Sequence, residues 1–254
     1  MLEIVPINAF RDNYIWTLRN ATHAAVVDPG EARPVKDYLA REKLRLTAIL
    51  ATHHHPDHVG GVAELLAAHS VPVYGPKNEP IATLTHPVSE GDTVDIPELG
   101  VRFAVLDIPG HTRAHVAYYG ADSLFCGDTL FACGCGRVFE GTPEQMYASL
   151  AKLASLPNDT KVYCGHEYTL ANIKFARTVD PGNAALAALE VRARRLRDAG
   201  QPTLPTTMGD EKAANPFLRC LEPAVVDSAN KYLGARLADP VRVFSAIREW
   251  KNRS

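Results

Sequence analysis

The segment Thr52-His53-His54-His55-Pro56-Asp57-His58-Val59-Gly60-Gly61 places four histidines and an aspartate within six residues. Imidazole nitrogens and carboxylates together suit borderline divalent metals. The apolar run Thr47–Ala51 before the segment reads as a buried strand, and Val62–Ala68 after it has helical spacing, so the cluster is a loop at a strand end. Alternation along extended chain lets His53 and His55 reach one metal while His54 points away. Beyond the Pro56 bend, Asp57 and His58 face a neighbouring point, so one loop can serve two adjacent metals. An internal run broken by proline and aspartate is neither a purification tag nor a set of isolated surface histidines.

The pattern of a ligand just behind a strand and a glycine recurs three times. Val101–Ile108 ends in Pro109-Gly110-His111, Ser123–Cys126 in Gly127-Asp128-Thr129, and Lys161–Cys164 in Gly165-His166-Glu167-Tyr168. Glycine there permits a sharp turn or a close approach. Strand ends of one sheet edge lie together, so these residues are expected to converge with the first loop. Seven ligands suit two metals, and one carboxylate can bridge a pair, Asp128 being the candidate. Water at such a site has a pKa near ~7, which supplies a nucleophile at neutral pH without a separate base. A structural zinc site would instead be a closed, cysteine-rich set of four. Zinc, iron and manganese all accept these ligands. His54, His69, His86 and His115 fall outside the expected metal shell, His115 as a possible support for a ligand.

The bulk properties bound the rest. The chain has 254 residues, 46% hydrophobic, enough for one large domain or a large and a small one. A net charge of −2 gives no nucleic-acid footprint, so a small-molecule partner is expected, with neither nucleic acid nor membrane. The five cysteines form no disulfide framework and read as reduced thiols. Cys126 and Cys164 read as buried packing residues, and Cys133-Gly134-Cys135 as small residues of a glycine-rich turn. The N-terminal stretch has no basic region or long apolar run, and no stretch approaches the ~18 apolar residues of a membrane span, so a cytoplasmic location is expected; the expected oligomeric state is a monomer, which no sequence feature fixes.

The elements that must position the ligands follow in order. Strands are predicted at Leu2–Ile7, Asn13–Arg19 and Ala24–Val27, paired antiparallel, the last ending in the turn Asp28-Pro29-Gly30. A helix fits Ala32–Glu42. Val71–Tyr74 is a short strand, a hairpin-rich region begins at Gly91, and Val116–Tyr119 pairs with Ser123–Cys126. Thr142-Pro143-Glu144-Gln145 is a capping box that opens a helix to about Leu156. Composition then shifts to helix: Ala184–Ala199, stopped by Gly200, then Pro223–Leu233 and Asp239–Lys251, while Gln201–Asn215 looks extended. The predicted division is an α/β catalytic domain over 1–172 and a helical domain over 173–254.

The histidine segment resembles the H-x-H-x-D-H signature of the metallo-β-lactamase superfamily. Gly110-His111-Thr112, Cys126-Gly127-Asp128-Thr129-Leu130 and Gly165-His166-Glu167-Tyr168-Thr169 resemble one branch of it, glyoxalase II, the hydroxyacylglutathione hydrolases. So do Asp12–Trp16, Cys135–Gly141 and Asn215–Arg219, and the likeness covers nearly the whole chain. The resemblance implies an αββα sandwich followed by a small helical substrate-binding domain. It implies that His53, His55 and His111 bind one metal and Asp57, His58 and His166 the other, with Asp128 bridging, zinc being the first choice. Asp57 would orient the attacking hydroxide. The substrate positions fall on Arg137, Phe139, Tyr168, Arg248 and Lys251. Arg137 replaces a lysine of some members and keeps its charge; Phe139 replaces a tyrosine and loses a hydroxyl; Pro56 stands where other members differ. The implied reaction is hydrolysis of S-D-lactoylglutathione to D-lactate and glutathione. A lactonase or phosphodiesterase with the same site, and a metal-binding regulator without catalysis, are the competing readings. A nuclease of this superfamily needs a basic surface, and a regulator needs neither a full ligand set nor a charged pocket.

Overall fold

The computed structural model describes residues 2–254. These fall into two compact units, one running to Asp107 and resuming over Thr112–Gly127, the other made of Ile108–His111 and Asp128–Ser254.

The first unit carries the histidine loop. Strands β1 (Glu3–Ala9), β2 (Asn13–Arg19) and β3 (His23–Val27) form an antiparallel meander, as their short connections require. Helix α1 (Ala32–Glu42) buries Ala32, Val35 and Leu39 and crosses to β4 (Arg45–Leu50), which runs parallel to β3. The loop with short helices α2 (Pro56–Val59) and α3 (Val62–Leu66) leads to β5 (Val73–Pro76) and β6 (His86–Val88), completing a six-stranded sheet in the order β1 to β6. Ile15, Val26, Val35, Ile49, Leu65 and Val73 centre its core. Strands β7 (Thr93–Ile96), β8 (Val101–Asp107), β9 (Val116–Gly120) and β10 (Ser123–Gly127) pair antiparallel in sequence order. The predicted loop after β4 therefore contains a proline-started helical turn at Asp57 and His58.

The second unit is mainly helical. A tight hairpin, β11 (Leu130–Phe131) and β12 (Gly134–Cys135), follows Asp128. Helix α4 (Pro143–Ala154) starts with the expected capping box, Thr142 and Gln145 bonding each other's backbone. Strand β13 (Lys161–Cys164) leads into α5 (Thr169–Val179), where no helix is predicted from sequence; residue 172 lies within it. Helix α6 (Ala184–Asp198) matches expectation. The stretch Gln201–Asn215 does not stay extended. After β14 (Thr206–Thr207), which pairs with β13, the Thr207 hydroxyl caps α7 (Met208–Ala214) by accepting from the Asp210 amide at 3.1 Å. Prolines 202 and 205 hide that start in the sequence. Helices α8 (Pro223–Leu233) and α9 (Pro240–Asn252) follow, α9 capped by Asp239 and burying Val243, Phe244, Ile247 and Arg248. No helix of the described residues is long and apolar enough to cross a membrane.

Four tail side chains hold the β11–β12 hairpin. Glu211 Oε2 accepts from the Cys133 amide at 2.9 Å and from Asn215 Nδ2 at 3.0 Å. Asn215 also donates to the Phe131 and Gly134 carbonyls, Asn172 to the Ala132 carbonyl, and Arg248 to the Cys135 carbonyl. Glu211 is fully buried, and that burial pushes its carboxyl up to about 7, against the lowering effect of the hydrogen bonds from Asn215 and Cys133. A folded-state value above the unfolded one gives a stabilising contribution that is complete below about pH 4.5 and lost as pH rises through about 7. Glu211→Gln keeps an acceptor for the Cys133 amide and removes the titration. Wild-type stability in urea is therefore expected to fall between pH 5 and pH 8 by up to about 3 kcal/mol more than that of the variant. Parallel pH profiles for the two proteins would refute this.

Candidate active site

In each unit the candidate ligands lie at strand ends. In the first unit, β3 ends in Asp28, buried and left-handed with φ 53°, and β4 ends at Thr52 and His53. Asp28 accepts from the Thr52 amide and hydroxyl, both at 2.7 Å, and from His58 Nδ1 at 3.0 Å. Since its hydroxyl proton goes to Asp28, Thr52 Oγ1 accepts from His53 Nδ1 at 3.0 Å. Both imidazoles thereby carry their proton on Nδ1 and present the Nε2 lone pair. His53 and His58 are 0% and 1% exposed, with ring centroids 4.1 Å apart. His53 Nε2 lies 3.1 Å from His55 Nδ1. Asp57 Oδ2 accepts from Asn13 Nδ2 at 3.1 Å and lies 3.6 Å from His58 Nε2. His54 turns away, as alternation requires, to bond Glu79. His115 is buried and stacks on His53 at 4.5 Å.

In the second unit, Asp128 Oδ2 lies 3.6 Å from His111 Nε2 and 3.3 Å from His166 Nε2. His111 Nδ1 donates to the Arg137 carbonyl at 2.9 Å, so this ring too presents Nε2. Gly136 is required here: a Cβ on it would sit 1.9 Å from the Asp128 carbonyl oxygen. Buried nitrogen lone pairs gathered around carboxylate oxygens are the donor set of a zinc, iron or manganese site, and the residues fit such a metal.

Beside His111 and Asp128 opens a recess of about 400 Å³, lined further by Arg137, Phe139, Tyr168, Arg248 and Lys251. All five expected substrate positions are in its wall. Phe139 is 60% exposed and meets the His111 ring edge-on; Tyr168 stacks on His166 at 4.7 Å. Arg248 is buried, donates to the Cys135 carbonyl at 2.6 Å and lies over the Phe217 ring. Lys251 donates to Asn172 Oδ1 and lies 5.8 Å from the centroids of Phe175 and Phe217. Burial, with Arg248 adding repulsion, lowers its ammonium to about 8. All five cysteines are buried and outside any disulfide, and burial raises the thiols of Cys133, Cys135, Cys164 and Cys220, which suits packing rather than ligation or redox chemistry.

Sequence reasoning missed Asp28, Asn13 and Glu79. Asp28 shares the strand-end position of the ligands but precedes its glycine instead of following one, and the turn chemistry of Asp28-Pro29-Gly30 sufficed to explain it. Asn13 and Glu79 carry no local signal, because their partners lie 44 and 25 residues away.

The class of protein is now defined. Residues 10–166 match the metallo-beta-lactamase superfamily, and residues 167–254 match the family described as hydroxyacylglutathione hydrolase C-terminus. The hydroxyacylglutathione hydrolase of Nitrosomonas eutropha is 55% identical over 252 residues, 99% of each chain, and that of Alkalilimnicola ehrlichii 56% identical over 256 residues, the full length of both. Among solved structures, TTHA1623 in a di-iron-bound form matches with a TM-score of 0.59 and 28% identity, covering 85% of this chain and 100% of that one. The chain therefore belongs to the hydroxyacylglutathione hydrolases, enzymes with the αββα metallo-β-lactamase fold and a helical C-terminal region.

Gly30 tests how tightly the ligand loop is seated. A Cβ there would lie 1.9 Å from the Asp57 carbonyl oxygen, a backbone atom with no room to yield. Gly30→Ala is expected to cost about 1–3 kcal/mol in urea unfolding and to loosen metal binding. Wild-type stability and metal retention would show that the loop is soft.

Proposed function

We propose that the chain hydrolyses S-(2-hydroxyacyl)glutathione thioesters, above all S-D-lactoylglutathione, to the hydroxy acid and glutathione, with two divalent metals. The observation that carries this reading is the cation-lined recess whose wall includes His111 and Asp128. Zinc is the first choice of metal, and the di-iron form of TTHA1623 supports iron as an alternative. His53, His55 and His111 would hold one metal, Asp57, His58 and His166 the other, and Asp128 both. When bound, the metals make water nucleophilic near neutral pH and polarise the thioester carbonyl.

The chain's own residues do the rest. Asn13 fixes the Asp57 carboxylate, which orients the attacking water. Tyr168, stacked on His166, and Phe139, against His111, wall the acyl end. Arg137, Arg248 and Lys251 give a dicarboxylate such as glutathione its countercharges. Much of the Arg248 guanidinium is committed to backbone carbonyls, which leaves Arg137 and Lys251 as the more available cations. Water adds to the carbonyl carbon, the C–S bond breaks, and glutathione departs as a thiolate, a fair leaving group because a thiol pKa is near ~8.5. Of the two water protons, one neutralises the thiolate and the other leaves to solvent as the product acid ionises to its carboxylate. Catalysis falls to the 1–172 portion, with 173–254 binding substrate, in a cytoplasmic monomer.

Asp128→Ala is expected to lose bound metal and to abolish turnover; retention of both metals at full rate would contradict the bridging role. Lys251 gives a pH signature. Its charged form, the one that attracts carboxylates, is lost as pH rises through about 8. For a glutathione thioester, KM should rise above pH 8 with little change in kcat, and Lys251→Arg should flatten the rise. A small thioester lacking the peptide should show no such rise. An identical KM profile for both substrates would remove Lys251 from substrate recognition.

A further inference from the structure

Glu79 lies in the turn between β5 and β6, outside every motif and every expected site residue, and its side chain is 2% exposed. Its two oxygens face different segments. Oε2 accepts from the His54 backbone amide at 2.6 Å and from His54 Nδ1 at 2.8 Å. Oε1 accepts from the Thr112 hydroxyl and from the Ala114 amide at 3.2 Å. The turn itself is pinned, the Glu79 amide donating to the Pro76 carbonyl and the Glu79 carbonyl accepting from Ile81.

His54 sits between the ligands His53 and His55, and Thr112 is bonded in sequence to His111. One buried carboxylate thus spans two loops that between them carry the three ligands assigned to one metal. Metal affinity in a loop-built site depends on how much ordering the ligands still need when the ion arrives. Hydrogen bonds to a carboxylate are stronger than those to a neutral acceptor. The chemistry also demands a carboxylate: donors approach both oxygens, so an acceptor-only group is needed at each. A carboxamide of the same size would set its NH₂ against either the His54 amide or the Ala114 amide.

We propose that Glu79 is a positioning residue that sets metal affinity by clamping the His54 backbone to the Thr112–Ala114 segment. The proposal rests on the metal assignment made above. It separates the roles of the two groups on His54: the backbone amide matters to the clamp, and the imidazole is secondary.

The test is zinc transfer from full-length, zinc-loaded protein to a chromophoric chelator, read by absorbance, with no substrate present. Loss of a group that supports metal ligands costs about 10–100-fold in affinity, and Glu79→Gln should lose that much while the zinc-free variant keeps its circular dichroism. His54→Ala, which leaves the backbone amide in place, should lose less than about threefold. Wild-type affinity in folded Glu79→Gln, or an equal loss in His54→Ala, would overturn the proposal. If Glu79→Gln does not fold, Thr112→Val decides: it removes one donor at constant volume and should weaken zinc about three- to tenfold, and unchanged affinity would overturn the clamp. If wild-type protein itself held no zinc, iron or manganese, the metal assignment would fail first.

Discussion

A buried imidazole must have its N–H satisfied, and that requirement organises the surroundings of the histidines in each unit. His53, His58 and His111 each have Nδ1 bonded to a specific acceptor: the Thr52 hydroxyl, the Asp28 carboxylate and the Arg137 carbonyl. Each partner fixes the ring plane and the tautomer, leaving Nε2 to bind a cation. The partners constrain their own surroundings in turn. Asp28 must adopt φ 53° at the end of β3 so that one carboxylate serves both Thr52 and His58. The Arg137 carbonyl reaches His111 only because Gly136 lets the chain pass against the Asp128 backbone. The strain at Asp28 is tolerated because burying the Thr52 amide and His58 Nδ1 without an acceptor would cost more.

The recess obeys a second constraint, that its buried cations lie against aromatic surface. Lys251 rests against Phe175 and Phe217, and Arg248 over Phe217, so each has an aromatic face as partial compensation for lost water. Compensation is incomplete for Lys251, whose ammonium sits at about 8. Such a residue recovers its charge energy when a carboxylate arrives. Two cations buried side by side would suit a ligand that brings two carboxylates.

Much of this was legible in the sequence because it is local. A glycine followed by a ligand-type residue at the end of an apolar run singles out His111, Asp128 and His166 as candidates without any tertiary knowledge, and the capping signals at Thr142 and Asp239 fix two helix starts. The failures share one cause. Helix α7 is hidden in a proline- and threonine-rich stretch and is held by Glu211 and Asn215 bonding the distant hairpin. Helix α5 buries Thr169 and Asn172, polar residues that blur a hydrophobic period, because each has a distant partner, Thr203 and the Ala132 carbonyl. Glu79 in its turn looks solvent-facing until Thr112 and Ala114 are brought to it. Local pattern reveals the residues proposed as metal ligands, while those that orient them depend on long-range pairing.

The central claim is that this histidine–aspartate centre hydrolyses a glutathione thioester in a metal-dependent way. The most direct measurement is the rate of purified protein, of known metal content, on S-D-lactoylglutathione, a lactone and a phosphodiester, before and after chelation and with metal restored. Rapid thioester cleavage is expected, with little or none of the other two, loss on chelation and recovery with zinc, iron or manganese. Preference for the lactone or the phosphodiester, or thioester cleavage that survives verified metal removal, would contradict it.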